Sequence, residues 1–245
     1  MSSPHRLGHY IRHAFDEIGL PTDDVSFEGP FLRQKGINRI LFYPGTFNPP
    51  HKGHRDLLAH SFANAGDDLH IAAAIILPTD DERLELKMSS QQYTLKLNKF
   101  QRAALLRNSA LQAQAFLIFD HSEEDWRRFR AALMSVFQQA CIEVKLVMLG
   151  GPDWIKMEAA HDPAYWDCAD ALICDVSRPV NFRYPSCVAQ IAGHTQWEKP
   201  SVNIDRLRGQ MRGKMRGQNP KGISYGLSYF LHLNASLTET VIDSD

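Results

Sequence analysis

Residues 37–60, which read INRILFYPGTFNPPHKGHRDLLAH, predict a strand, a tight loop and a helix in succession. Residues 40–43 form a short apolar run that ends in a Pro-Gly pair, which is typical of a strand buried on both faces of a parallel sheet. From Leu57 onward, apolar residues return at helical spacing. The stretch therefore favours an α/β fold.

The loop between this strand and helix carries the residues that could bind a ligand or take part in chemistry. Gly45 and Gly53 allow the backbone to approach a ligand closely. His51 and His54 lie on the first turn of the helix, where a spacing of three places both imidazoles on one side. With Lys52 and the N–H groups of a helix N-terminus, they suit a triphosphate. The alternative is that these are ordinary loop histidines.

The complete string at residues 45–54, GTFNPPHKGH, resembles a known signature at every fixed position. That signature is Gly-x-Phe-x-Pro-x-His-x-Gly-His of the nucleotidylyltransferase superfamily, and within it of the nicotinamide/nicotinate mononucleotide adenylyltransferases. The resemblance implies that His51 and His54 are catalytic. It also implies nucleotide contacts from four residues of the loop, which are Gly45, Thr46, Phe47 and Gly53.

Length and composition are those of an ordinary α/β domain, since the 245 residues include 44% hydrophobic and 22% charged residues. The net charge of -1 does not favour binding to nucleic acid. The cysteines show no Cys-x-x-Cys spacing, no apolar signal region opens the chain, and the apolar run at 71–77 is too short to span a bilayer. We therefore expect an intracellular protein, cytoplasmic or nuclear, without a membrane anchor. Self-association into a homo-oligomer is left open.

Further apolar runs alternate with helical patterns along the chain, at residues 70–77, 116–119, 144–149 and 171–176. This alternation predicts a Rossmann-like nucleotidylyltransferase fold with a five-stranded parallel sheet and helices on both faces. We expect this domain to span residues 37–235, between a helical extension at 1–36 and a polar tail at 236–245.

Three histidines recur every four residues in the extension, at His5, His9 and His13. With the apolar residues between them they indicate an amphipathic helix that ends at Gly19 and Pro21. A solvated helix face explains the histidines as well as a metal site does. No dedicated metal site is predicted.

Four later residues resemble contacts of the same family. LGGPDW at residues 149–154 resembles its Gly-x-Asp motif and implicates Gly150 and Asp153, whose carboxylate could accept hydrogen bonds from ribose hydroxyls. Trp126 occupies a place where family members commonly stack an aromatic ring on the pyridine of the mononucleotide, and the alternative is a core tryptophan. Arg178 resembles a phosphate or pyridine-site contact, and the alternative is an exposed strand-end arginine.

The family's second signature, approximately Ile-Ser-Ser-Thr-x-Ile-Arg, is altered in this chain. Its best register, residues 202–208, keeps the apolar positions and Arg208 but lacks the hydroxyl residues. Residues 222–228 keep Ile-Ser and lack the arginine. The basic run at 206–217 would attract phosphates of ATP or of nucleic acid, and a solvated loop is the alternative.

The resemblance implies transfer of the adenylyl group of ATP to nicotinamide or nicotinate mononucleotide, which gives the dinucleotide and pyrophosphate. Small-molecule nucleotides would be the substrates, with Mg²⁺ held mainly by their phosphates. Arg208 would hold the leaving pyrophosphate. Two alternatives stay open: a nucleotidylyltransferase that joins CTP or ATP to another phosphorylated acceptor, and a relative that binds nucleotide or RNA without turnover.

Overall fold

The computed structural model describes residues 5–22, 27–64, 69–89, 95–108, 116–154, 163–168, 170–174, 176, 189 and 228–232. The helices in these ranges are α1 (Leu7–Ile18), α2 (Lys52–Asn64), α3 (Asp81–Ser89), α4 (Lys99–Asn108) and α5 (Glu123–Gln139). The strands are β1 (Asn38–Gly45), β2 (Ile71–Pro78), β3 (Phe116–Ile118), β4 (Val144–Gly150), β5 (Asp170–Cys174) and β6 (Ser228–His232). Two short 3-10 helices lie at Pro152–Trp154 and Pro163–Trp166.

The strands form one sheet in the order β3-β2-β1-β4-β5-β6. Neighbours from β3 to β5 are parallel, which confirms the predicted five-stranded Rossmann-like core. The sixth strand, β6, which the sequence analysis did not predict, pairs antiparallel with β5. The chain moves outward from β1 to β3 and then returns to place β4 beside β1. Ligands of such sheets bind at this reversal, beyond the carboxyl ends of β1 and β4.

Apolar layers cover both faces of the sheet. Side chains alternate along β1, so that Ile40 and Phe42 pack in one cluster with residues of α1 and α5. Leu41 and Tyr43 pack in the other with residues of α2 and α4. Residues 40–43 are each at most 4% exposed. The continuous apolar run in the sequence thus reflects burial on both faces.

Helix α1 is packed on the same core as the sheet. Its buried residues include Leu7, Ile11 and Phe15, and the Phe15 ring lies 4.6 Å from that of Phe129 on α5. The helix ends as predicted, because Gly19 adopts a left-handed conformation with φ 72° and its N–H bonds back to the last turn.

The three histidines of the predicted face are exposed, although α1 begins at Leu7 and His5 therefore precedes it. The rings of His5 and His9 stack with centroids 4.2 Å apart. Across the described ranges, no group of three or more His, Cys, Asp or Glu side chains could hold a metal ion. No helix in those ranges combines the length and the apolar character needed to cross a membrane.

Candidate functional site

The loop between β1 and α2 is built around a buried aromatic ring. Phe47 is 1% exposed, and its ring contacts those of Tyr43 and His54. A Cβ at Gly45 would lie 2.9 Å from Phe47 Cζ, so glycine is needed for this close approach. The Phe47 ring therefore supports the loop from inside, and Phe47 can meet a ligand only through its backbone.

The two histidines of the loop form a hydrogen-bonded stack. Their ring centroids are 3.7 Å apart, at an interplanar angle of 27°. The His51 N–H donates to His54 Nδ1, and the Gly53 N–H donates to His51 Nδ1, both at 3.1 Å. Because each Nδ1 accepts a hydrogen bond, the proton of each neutral imidazole lies on Nε2. Both rings thus keep an Nε2–H that can donate to a phosphate oxygen.

The surroundings of His54 keep it uncharged at neutral pH. Burial, followed by the charge of His51, lowers the pKa of His54 from 6.5 to about 4, and Asp153 partly opposes this shift. Burial raises the pKa of Tyr43, and Asp153 raises it further. Asp153 therefore acts on both residues from the end of β4. An approaching phosphate would favour the charged form of His54 and raise its pKa.

A cleft of 380 Å³ opens beside the histidines, between α2 and α4. It is lined by Tyr43, Pro50, His51, Lys52, His54, Arg55, Leu58, Leu105, Leu106 and Asn108. The wall from α2 is rich in basic groups and includes the helix N-terminus, which attracts anions. The wall from α4 is mainly apolar. Such a cleft suits a ligand with phosphates at one end and an apolar group at the other.

Two predicted contacts lie at the end of β4, and they differ in exposure. Gly150 is buried, and a Cβ there would lie 2.8 Å from Ile173 Cδ1 and 3.0 Å from Trp154 Cβ. Packing between neighbouring segments accounts for this glycine. Asp153 is exposed on the 3-10 helix that follows, where its carboxylate is accessible to a ligand.

The structure corrects the interpretation of Trp126 as a pyridine-stacking residue. Its side chain is 1% exposed and stacks on Phe42, with ring centroids 4.3 Å apart and an interplanar angle of 9°. The rings of Phe119 and Phe129 pack beside it. Trp126 is a core residue because α5 turns it towards the sheet, which leaves the ring no accessible face for a ligand.

Two predicted arginines lie outside the described residues. These are Arg178 and Arg208. The altered second signature at 202–208, which includes Arg208, also lies outside the described residues.

Sequence reasoning missed Arg102, a fully buried arginine on α4 that bonds to the loop. No spacing or charge pattern separates it from the exposed Arg107 on the same helix, since its partners are mainly backbone carbonyls. It also missed the α4 wall of the cleft, because the residues of α4 that line it lie far in sequence from those of α2.

The lowered pKa of His54 predicts a pH-dependent stability. Between 6.5 and about 4, the unfolded chain binds this proton and the folded chain does not. The free energy of unfolding should therefore fall as pH falls through this window, by up to about 1.4 kcal/mol per pH unit. Denaturant titrations at pH 7, 5.5 and 4.5 should show a smaller loss for His54→Gln than for wild type. Equal losses would contradict the shift, because other titrating groups cancel in the comparison.

Residues 42–92 match the family model described as Cytidylyltransferase-like. The match begins in β1 and includes the histidine loop, β2 and α3. It supports placing the chain in the nucleotidylyltransferase superfamily, and it supports a nucleotidyltransferase activity in general. A comparison with curated proteins found no significant match.

Proposed function

We propose that the protein transfers the adenylyl group of ATP to nicotinamide or nicotinate mononucleotide, forming the dinucleotide and pyrophosphate. The observation that carries the proposal is the loop at residues 45–54. It bears the full signature, lies at the reversal point of the sheet, and stacks its two histidines at a helix N-terminus. Asp153 reaches the same place from β4.

The reaction needs no protein nucleophile. A phosphate oxygen of the mononucleotide attacks the α-phosphorus of ATP, the new P–O bond forms, and the bond from the α-phosphorus to the bridging oxygen breaks. Pyrophosphate leaves with that electron pair. His51 and His54 would donate their Nε2–H groups to phosphate oxygens on which charge accumulates. Catalysis is then positioning and electrostatic stabilisation, and Mg²⁺ enters bound to the triphosphate as part of the substrate.

Other residues would hold the two nucleotides. The Asp153 carboxylate would accept hydrogen bonds from ribose hydroxyls. The backbone of residues 45–47 and of Gly53 would approach the phosphates. Arg208 remains our proposed ligand of the leaving pyrophosphate, and Arg178 remains a proposed contact of a phosphate or of the pyridine site.

Cytidylyl transfer from CTP to a different phosphorylated acceptor is the second candidate. The matched family model is described as Cytidylyltransferase-like. In addition, the burial of Trp126 removes the aromatic side chain that had pointed to a pyridine acceptor.

A matrix of donors and acceptors distinguishes these functions. ATP and CTP would each be incubated with Mg²⁺ and either pyridine mononucleotide, or with phosphocholine, phosphoethanolamine, glycerol 3-phosphate or phosphopantetheine. Products would be separated by liquid chromatography. We expect the dinucleotide to form from ATP and a pyridine mononucleotide. We expect no product in the reactions that contain CTP. Product from CTP would favour the second candidate. Nucleotide binding without product from any pair would refute turnover and indicate a binding protein.

A further inference from the structure

The guanidinium of Arg102 is a buried charge held by oxygen atoms of three segments. The side chain is 0% exposed. Nη1 donates to Thr46 O at 2.7 Å, and Nη2 donates to Thr79 O at 2.7 Å and to Asp81 Oδ1 at 2.6 Å. Its Nε has no hydrogen-bond partner among the described residues. A fully buried arginine is rare unless it is paired, and here the Asp81 carboxylate supplies the countercharge while two backbone carbonyls accept the other bonds.

Arg102 connects α4 to the β1–α2 loop, the end of β2 and the start of α3. The same region holds a backbone bond between the two strand ends, in which the Thr79 N–H donates to Gly45 O at 2.9 Å. A second link fixes the other side of the loop, where Asn48 Oδ1 accepts from the Leu97 N–H at 2.9 Å. The loop that carries the two histidines is thus anchored to the segment around α4.

The bond to Thr46 O also sets the direction of the next amide. The peptide unit between Thr46 and Phe47 is planar and trans, so its N–H points opposite to its carbonyl. Because the carbonyl faces the buried guanidinium, the Phe47 N–H points away from it. No bond to this N–H is found within the described ranges. Phe47 has φ 47°, a conformation that non-glycine residues keep only where the surroundings impose it.

We propose that Arg102 is a positioning residue for the nucleotide phosphates. It holds the Thr46 carbonyl inward and so leaves the Phe47 N–H, in the loop that carries the two histidines, to donate to a phosphate oxygen. This inference rests on the proposed function. The planar fork of a guanidinium serves its three acceptors at once, and a lysine ammonium in the same place would not reproduce that geometry.

Replacing Arg102 with lysine tests the proposal, with Arg107→Lys as the matched control. Arg107 is on the same helix, is half-exposed and pairs with Asp120. Calorimetry would give the affinity for MgATP, and steady-state assays would separate kcat from KM. Misplacing phosphate-binding groups should lower kcat/KM by roughly 10²-fold in Arg102→Lys. Arg107→Lys should match wild type. Leu133→Ala, a core change on α5, controls for a general loss of stability.

A spectroscopic measurement separates this proposal from the proposed function. In ligand-free protein, Arg102→Lys should shift the Phe47 amide resonance. By loosening the loop it should also relieve the burial that lowers the pKa of His54, and so raise that pKa towards 6.5. Arg107→Lys should change neither. If wild type binds MgATP but converts no nucleotide, and these resonances move while MgATP affinity falls in Arg102→Lys, the proposed function fails and the positioning role stands. Wild-type resonances and MgATP affinity in folded Arg102→Lys would overturn it.

Asp81→Asn is the variant that tests the proposal if Arg102→Lys does not fold. The Asp81 side chain is 43% exposed, so the isosteric change should leave the fold intact. It removes the countercharge that fixes the guanidinium of Arg102 and so loosens its bonds to the Thr46 and Thr79 carbonyls. We expect a smaller shift of the Phe47 amide in the same direction, and an unchanged resonance would overturn the proposal.

Discussion

Replacing His54 with alanine is expected to lower kcat/KM for nucleotidyl transfer by about 10²–10³-fold, the usual loss when one preorganised donor is removed from a charged transition state. His54 has its Nδ1 occupied by the His51 N–H, so its Nε2–H is the group available to a phosphate oxygen. Its burial strengthens that interaction because little water competes with it. Pyrophosphate release under saturating donor measures the effect.

His13→Ala is the control for this variant. His13 is an exposed histidine on α1, outside the loop and the cleft, so its removal should leave the rate unchanged. Circular dichroism should show both variants folded. An unchanged rate in folded His54→Ala would move the phosphate site away from this loop.

Replacing Trp126 with alanine is expected to remove about 3–5 kcal/mol from the free energy of unfolding, the range for loss of a large buried aromatic. The side chain is 1% exposed and fills the space between α5 and the sheet, where it stacks on Phe42. Its removal would leave a cavity among rings that cannot collapse without moving α5. Denaturant unfolding measures the loss, and Tyr165→Ala, at a 54% exposed residue, should cost far less.

The conservative variant Trp126→Phe tests the other interpretation of this residue. A core tryptophan replaced by phenylalanine should reduce stability and leave KM for the pyridine mononucleotide unchanged. A large rise in that KM, with the stability of wild type, would indicate that Trp126 contacts the acceptor and is not a core residue.

The parts of the fold that depend on local pattern could be predicted from the sequence. The continuous apolar run at residues 40–43 predicted burial on both faces, and the structure confirms it. Gly19 marked the end of α1 because only its left-handed conformation closes the helix there without strain. The strand, loop and helix at residues 37–60 were predicted in order, since the signals that define them are adjacent in the chain.

The parts that depend on distant contacts could not be predicted. The tryptophan at position 126 is compatible with a ligand or with a core, and only the packing of α5 on Phe42 decides between them. The partners of Arg102 come from three separate segments. Two of them are backbone carbonyls, which every residue type has and which therefore cannot be recognised from the sequence. Pairing of β6 with β5 joins strands that lie far apart in sequence.

The histidine loop is the point where local and distant contacts combine. Its signature residues are contiguous, but the loop is supported by Arg102 from α4 and Asp153 acts on His54 from the end of β4. Residues 42–92, which match the family model, contain the loop and neither of these two residues. The site therefore depends on α4 and on the segment after β4 as well as on the matched segment.

Phosphorus-31 NMR of the complete reaction tests the central claim most directly. Wild-type protein with Mg²⁺, ATP and nicotinamide mononucleotide should produce pyrophosphate and a dinucleotide phosphoanhydride in equal amounts. Neither signal should appear without the acceptor, and with His54→Ala both should form about 10²–10³-fold more slowly. Orthophosphate in place of pyrophosphate, or no change with any donor and acceptor, would contradict nucleotidyl transfer at this site.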